Sequence, residues 1–184
     1  MELVMNKRHV LDLNTYSKTD IESLLKNTIE MKELLQRDIK KISSLNGKTV
    51  VNIFLEASTR TRVSFERAAK ILSADVINVS GSGSSIEKGE TLYNTALTLQ
   101  AMNADIIIVR HPHAGAPYFL ARHLDASVIN AGDGSHAHPT QAMLDLFTVF
   151  ENFGKIEKLK IAIIGDILHS RVARSNIWGF VKLG

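Results

Sequence analysis

Four short, largely apolar runs constrain this chain more than any other feature. They are "TVVNIFL" at 49–55, "DVINV" at 75–79, "DIIIV" at 105–109 and "SVINA" at 127–131. Each is rich in β-branched residues and too short for a typical helix, so each reads as a strand buried on both faces. Helical spacing fills the gaps, over about 59–73, 90–103, 115–124 and 140–152. A further run, "LKIAIIG" at 159–165, predicts one more strand, with a helix after it over about 170–181. Strand and helix in strict alternation predict an α/β fold, a doubly wound parallel sheet with helices on both sides. Ahead of the first strand, residues 19–37 read as an amphipathic helix, with Thr19 and Glu22 as a capping box, and Asn46-Gly47 marks a turn.

The chain has 184 residues, 45% of them hydrophobic and 22% charged, which suits a soluble protein with a real core. It contains no cysteine, so disulfides, a thiolate nucleophile and a Cys-ligated zinc are excluded. The formal charge of +3 is not gathered into a basic run interleaved with aromatics, which argues against a nucleic-acid partner. "MELVMNKRHVLDL" lacks the apolar core of a secretory signal, and no run approaches the roughly 20 residues of a membrane span. A cytoplasmic protein is the expectation. A break between domains is expected near 152–158, "NFGKIEK". The stretch beyond that break is too short to make a core of its own.

In such sheets ligands bind beyond the carboxyl ends of the strands. The polar clusters fall there. "STRTR" (Ser58 to Arg62) opens a helix after the first strand. Helix N-terminal N–H groups, hydroxyls and guanidinium forks are three kinds of anion donor in one place. "SGSGSSIEKGET" is a Gly/Ser loop carrying Lys88, able to fold over a ligand. Arg110 stands directly after the strand at 105–109, and His138 and Gln141 open the helix after "GDGSHAHP". "GDILHSR" places Arg171 at the start of the final helix. Neither a Walker loop nor a complete G-x-G-x-x-G is present, so nucleotide sites of those types are not expected. His136, His138 and Asp133 come from one loop without zinc spacing, so no metal is expected. Many donors and hardly any catalytic carboxylate suit an anionic substrate whose carbonyl or phosphoryl oxygen is polarised by fixed groups.

Taken together, "FLEASTRTRVSFE", "KGETLYNT", "VRHPHAGAPYFLA", "VINAGDGSHAHPTQAMLDLFT" and "IAIIGDILHSRVARSN" resemble the aspartate/ornithine carbamoyltransferase family, in the family's order. Glu56-Ala57 before Ser58 and the "INAGDG" form are similar to the aspartate branch. The resemblance implies transfer of the carbamoyl group of carbamoyl phosphate to the amine of L-aspartate, in pyrimidine biosynthesis, without metal or organic cofactor. It implies that Ser58, Thr59, Arg60 and Thr61 hold the phosphate, and that Arg110 bridges phosphate and carbonyl oxygen. Thr61, Arg110 and His138 would polarise the carbonyl, Gln141 would bind the carbamoyl nitrogen, and Arg171 would take an aspartate carboxylate. Ser84 and Lys88 would enter a neighbouring active site in a homotrimer, with regulatory chains or pathway enzymes as further possible partners. Residues 1–152 would be the carbamoyl phosphate-binding domain and 153–184 the incomplete start of the aspartate-binding domain. A chain of this length is then expected to bind carbamoyl phosphate with little turnover. The alternatives are an ornithine-type enzyme and a non-catalytic phosphate-binding or assembly module.

Overall fold

The computed structural model describes residues 7–81 and 89–184. Its strands are β1 (Thr49–Phe54), β2 (Asp75–Ser80), β3 (Ile106–His111) and β4 (Ser127–Asp133). Its helices are α1 (Lys18–Leu34), α2 (Thr59–Ile71), α3 (Leu92–Ala101), α4 (Ala116–His123), α5 (Pro139–Phe153) and α6 (Arg171–Leu183). The strands are parallel, in the order β2-β1-β3-β4. The chain therefore runs outward from β1 to β2, then returns past β1 to β3 and on to β4. Right-handed crossovers in opposite directions place helices on opposite faces. Val51, Ile53, Ile107 and Val109 meet Ala96 and Leu99 of α3 and Leu120 and Leu124 at α4. Val50, Phe54 and Ile108 point the other way, towards Phe65 and Ala69 of α2. Each fully buried Val, Ile or Leu contributes about 1.5–3 kcal/mol. The predicted doubly wound α/β sheet is the one observed.

Three details differ from the sequence reading. The capping box of α1 is Ser17 with Asp20, not Thr19 with Glu22. Asp20 N–H donates to Ser17 Oγ at 3.1 Å, and Ser17 N–H donates to Asp20 Oδ2 at 2.9 Å. β2 is not buried on both faces. Among the described residues it is an edge strand paired with β1 alone, and Asp75, Ile77, Asn78 and Ser80 are exposed. Residues 159–165 form no strand, and Ile164 is 93% exposed. A strand needs a partner for its backbone groups. The outer edge of β4 is already taken by Val10, which receives a hydrogen bond from Asn130 N–H at 2.8 Å and donates to Val128 O at 2.9 Å.

The last helix belongs to the same packed core as the first. Leu183 and Phe180 of α6 join Leu13, Tyr16, Ile21, Leu25, Ala142 and Leu146. Gly179 lets α6 press close: a Cβ there would stand 2.7 Å from Leu146 Cδ1. Among the described residues, no helix is long and apolar enough to cross a membrane.

Candidate active site

The order of the strands fixes where a ligand can sit. The winding direction reverses between β1 and β3, and the crevice beyond their carboxyl ends is the natural binding place of such a sheet. A cavity of about 940 Å³ opens there, lined by Ser58, Arg60, Thr61, Arg110, His138, Gln141 and Arg171, among others. Four separate segments deliver these side chains: the start of α2, the end of β3, the start of α5 and the start of α6.

At α2 the N-cap is Ser58, in extended conformation with φ −162° and ψ 100°. Its Oγ accepts from Thr61 N–H at 3.4 Å and donates to Thr61 Oγ1 at 2.8 Å. The positive end of α2 thus opens onto the cavity. Arg60 lines the cavity from this first turn, whereas Thr59 is exposed and is not among the lining residues.

Arg110 is 8% exposed, placed at the end of β3 by pairing with Phe54 of β1. Its Nη1 donates to Ala131 O at 3.3 Å and reaches Thr61 Oγ1 at 3.5 Å, while Nη2 bonds Glu56 Oε1. Glu56 also receives Arg171, through Nη1 to Oε2 at 2.8 Å and Nη2 to Oε1 at 2.5 Å. One carboxylate therefore holds two guanidinium groups. Hydrogen bonding from Arg171, then from Arg110, outweighs desolvation and draws Glu56 down to about pKa 2. The Arg171 pKa is raised by that pairing, whereas burial and the Arg171 charge lower that of Arg110. An arriving anion would find both cations already in place.

The loop from β4 to α5 carries His138, and Asp133 sets its shape. Asp133 is fully buried and accepts from Gly115 N–H at 2.7 Å, Ala137 N–H at 3.0 Å and Asn130 Nδ2 at 2.8 Å. His136 turns back onto this carboxylate, with Nδ1 3.1 Å from Oδ2, so it is His138 that lines the cavity. Gly132 lies beside the arginines at φ +113°, and a Cβ there would stand 3.1 Å from Arg171 Nε and 3.3 Å from Arg110 Nη1. Only glycine combines that backbone conformation with that close approach.

His138 is 6% exposed. Its N–H donates to Ser175 Oγ at 3.0 Å, and Ser175 donates onward to Asp12 Oδ1 at 2.9 Å. Burial, then the charges of Arg110 and Arg171, push the imidazole down to about pKa 4. At neutral pH it is uncharged. Thr140 Oγ1 lies 3.4 Å from Nδ1; a hydroxyl donating there leaves the ring proton on Nε2, as a donor. Gln141 Nε2 donates to Asp145 Oδ1 at 2.9 Å.

The structure thus brings Ser58, Arg60, Thr61, Arg110, His138, Gln141 and Arg171 to one cavity, while Ser84 and Lys88 lie outside the described residues. Sequence reasoning missed the roles of Glu56, Asp133, Asp145 and Ser175. For Glu56 a signal existed: an acid at the carboxyl end of a central strand, surrounded by candidate cations. Chemically, the site offers fixed N–H, hydroxyl and guanidinium donors to an anion and to a developing oxyanion.

Residues 8–151 match the family model described as aspartate/ornithine carbamoyltransferase, carbamoyl-P binding domain. The aspartate carbamoyltransferase catalytic subunit of Roseiflexus sp. (strain RS-1) is 59% identical over 178 residues, covering 97% of this chain and 56% of that relative. The structure of Trypanosoma cruzi aspartate transcarbamoylase in complex with carbamoyl phosphate and aspartate matches with a TM-score of 0.88 and 32% identity. That match covers 95% of this chain and 54% of the other. The catalytic subunit of M. jannaschii aspartate transcarbamoylase matches with a TM-score of 0.86 and 38% identity, over 95% of this chain and 56% of that one. The chain spans just over half the length of these relatives. With the match over 8–151 taking in three of the four segments that form the cavity, all but the start of α6, this chain belongs to the aspartate/ornithine carbamoyltransferase family.

Proposed function

We propose that the chain forms the carbamoyl phosphate site of an aspartate carbamoyltransferase catalytic subunit, acting in the cytoplasm. The observation that carries this reading is the convergence of the α2 N-terminus, Arg110, His138 and Gln141 on one cavity at the switch point of the sheet. The aspartate branch is supported by the relatives' names, as against the ornithine alternative.

In this reading the phosphate sits on Ser58, Thr59, Arg60 and Thr61. Arg110 spans from phosphate to the carbonyl oxygen. Thr61 Oγ1, Arg110 and Nε2–H of neutral His138 draw electron density onto that oxygen. The aspartate amine attacks the carbonyl carbon, and the C–O bond to phosphate breaks. N-carbamoyl-L-aspartate and phosphate form, and the amine loses a proton. Arg171, paired with Glu56 beside the cavity, would take an aspartate carboxylate. Rate enhancement comes from positioning and from donors aimed at the developing oxyanion.

Calorimetric titration of carbamoyl phosphate tests the reading. Saturable binding by the parent chain, weakened at least about tenfold in Arg60→Ala, is the expected outcome, from the loss of a charge-assisted contact. Equal affinity in both proteins, or no binding by a folded parent, overturns it. We also propose a homotrimer with shared sites, in which Ser84 and Lys88 serve a neighbour. The exposed edge strand β2, with Ile77 41% exposed, offers surface for a second copy. Sedimentation equilibrium should give three times the chain mass. A monomer at high protein concentration would rule that assembly out.

A further inference from the structure

Gln141 and Asp145 are one helical turn apart at the start of α5, on the face that lines the cavity. Gln141 Nε2 donates to Asp145 Oδ1 at 2.9 Å. The other oxygen of Asp145 is held from α6, where Asn176 Nδ2 donates to Oδ2 at 2.8 Å. A carboxylate accepts hydrogen bonds and donates none. It therefore takes only the NH₂ end of Gln141. The two ends of a glutamine amide are nearly the same size, and an unrestrained one can turn either towards a ligand. Here such a turn would break the bond to Asp145, which leaves Oε1 as the end of the amide available to a ligand. Arg60, Arg110 and the His138 imidazole face the ligand as donors. Oε1 is thus an acceptor set among donors.

We propose that Asp145, anchored by Asn176, is a positioning residue that fixes the Gln141 amide with its oxygen towards the cavity. The site thereby selects an acyl phosphate whose carbonyl carries N–H over one whose carbonyl carries a methyl group. The inference rests on the carbamoyl phosphate reading and adds a cause for its selectivity. A methyl in place of NH₂ would leave Oε1 desolvated without a donor, which is where discrimination between near-isosteres comes from.

The test uses two phosphonates of equal charge and nearly equal shape. Phosphonoacetamide carries CONH₂, and acetonylphosphonate carries COCH₃. Their affinities for the parent and for Asp145→Asn are measured by calorimetry, with inorganic phosphate as a third ligand. Because both phosphonates carry the same charge, removing the Asp145 charge acts on them alike, and their ratio reports the amide alone. The parent should prefer phosphonoacetamide about tenfold, the scale of one hydrogen bond and one avoided orphan acceptor. In Asp145→Asn the new amide can donate to Oε1 of Gln141, so the ratio should fall to about one. Asn176→Ala, which frees Asp145 without touching Gln141, should lower the ratio about two- to threefold, and it serves if Asp145→Asn does not fold. A ratio unchanged in the folded variants overturns the proposal. A parent that binds phosphate but does not discriminate overturns it too, while leaving the phosphate site intact. A parent that binds neither phosphate nor phosphonates overturns the carbamoyl phosphate reading, and the inference with it.

Discussion

Arg110→Ala is expected to weaken carbamoyl phosphate binding at least about 100-fold, the largest loss of any single change in the cavity, since tenfold corresponds to about 1.4 kcal/mol. Arg110 is a buried cation whose guanidinium lies within reach of Thr61, Ala131 and Glu56 at once. A hydrogen bond to a charged group is worth about 1.5–3 kcal/mol, and the proposed bridge from phosphate to carbonyl oxygen would use more than one. Its removal also leaves the Glu56 charge facing the anion with less compensation. Arg110→Lys keeps a charge but lacks the planar fork, so it should recover only part of the affinity. The fold should survive, because Glu56 keeps both of its bonds to Arg171. Calorimetry on variants whose circular dichroism matches the parent decides the matter. A loss below about threefold would remove Arg110 from the ligand, since even one ordinary hydrogen bond is worth that much.

The parts of this structure that could be read from the sequence are those whose cause is local. An apolar β-branched run such as "DIIIV" makes a central strand wherever two neighbours exist, and β3 has them. "LKIAIIG" has the same local character yet stays without a ladder, because pairing is not a property of the run itself. The donors could be found because they come directly after strands, and the winding of the sheet gathers strand ends. Which donor does what is set by contacts across long separations. Arg171 meets Glu56 across 115 positions, and Ser175 meets Asp12 across 163. In "HAH" nothing local distinguishes the two imidazoles; buried Asp133 takes His136 and leaves His138 for the cavity. Glu56 was legible as the end of an apolar run, but its pairing with two arginines depends on how β1, β3 and α6 converge.

The same convergence makes the protein sensitive to acid in a defined window. His138 is held near pKa 4 in the folded chain, below its ordinary 6.5, by burial and then by the charges of Arg110 and Arg171. Between these values the unfolded chain binds a proton that the folded chain refuses. Stability is therefore full above about pH 6.5 and falls as the pH drops towards 4, by about 3 kcal/mol at most. Glu56 acts in the same direction lower down: drawn from 4.5 to about 2, chiefly by Arg171, it contributes stability that is lost as the pH falls through that range. His9 and His111 are also lowered by burial, so the parent's slope alone does not isolate His138. The difference between parent and His138→Gln does. Urea unfolding at a series of pH values should show the variant losing less stability than the parent between about pH 6.5 and 4, and the two curves running parallel below. Parallel curves throughout would mean that His138 accepts its proton in the folded state at its ordinary pKa. The imidazole would then carry charge just below neutrality, and the role proposed for it as a neutral donor to the carbonyl oxygen would fall with the stability effect.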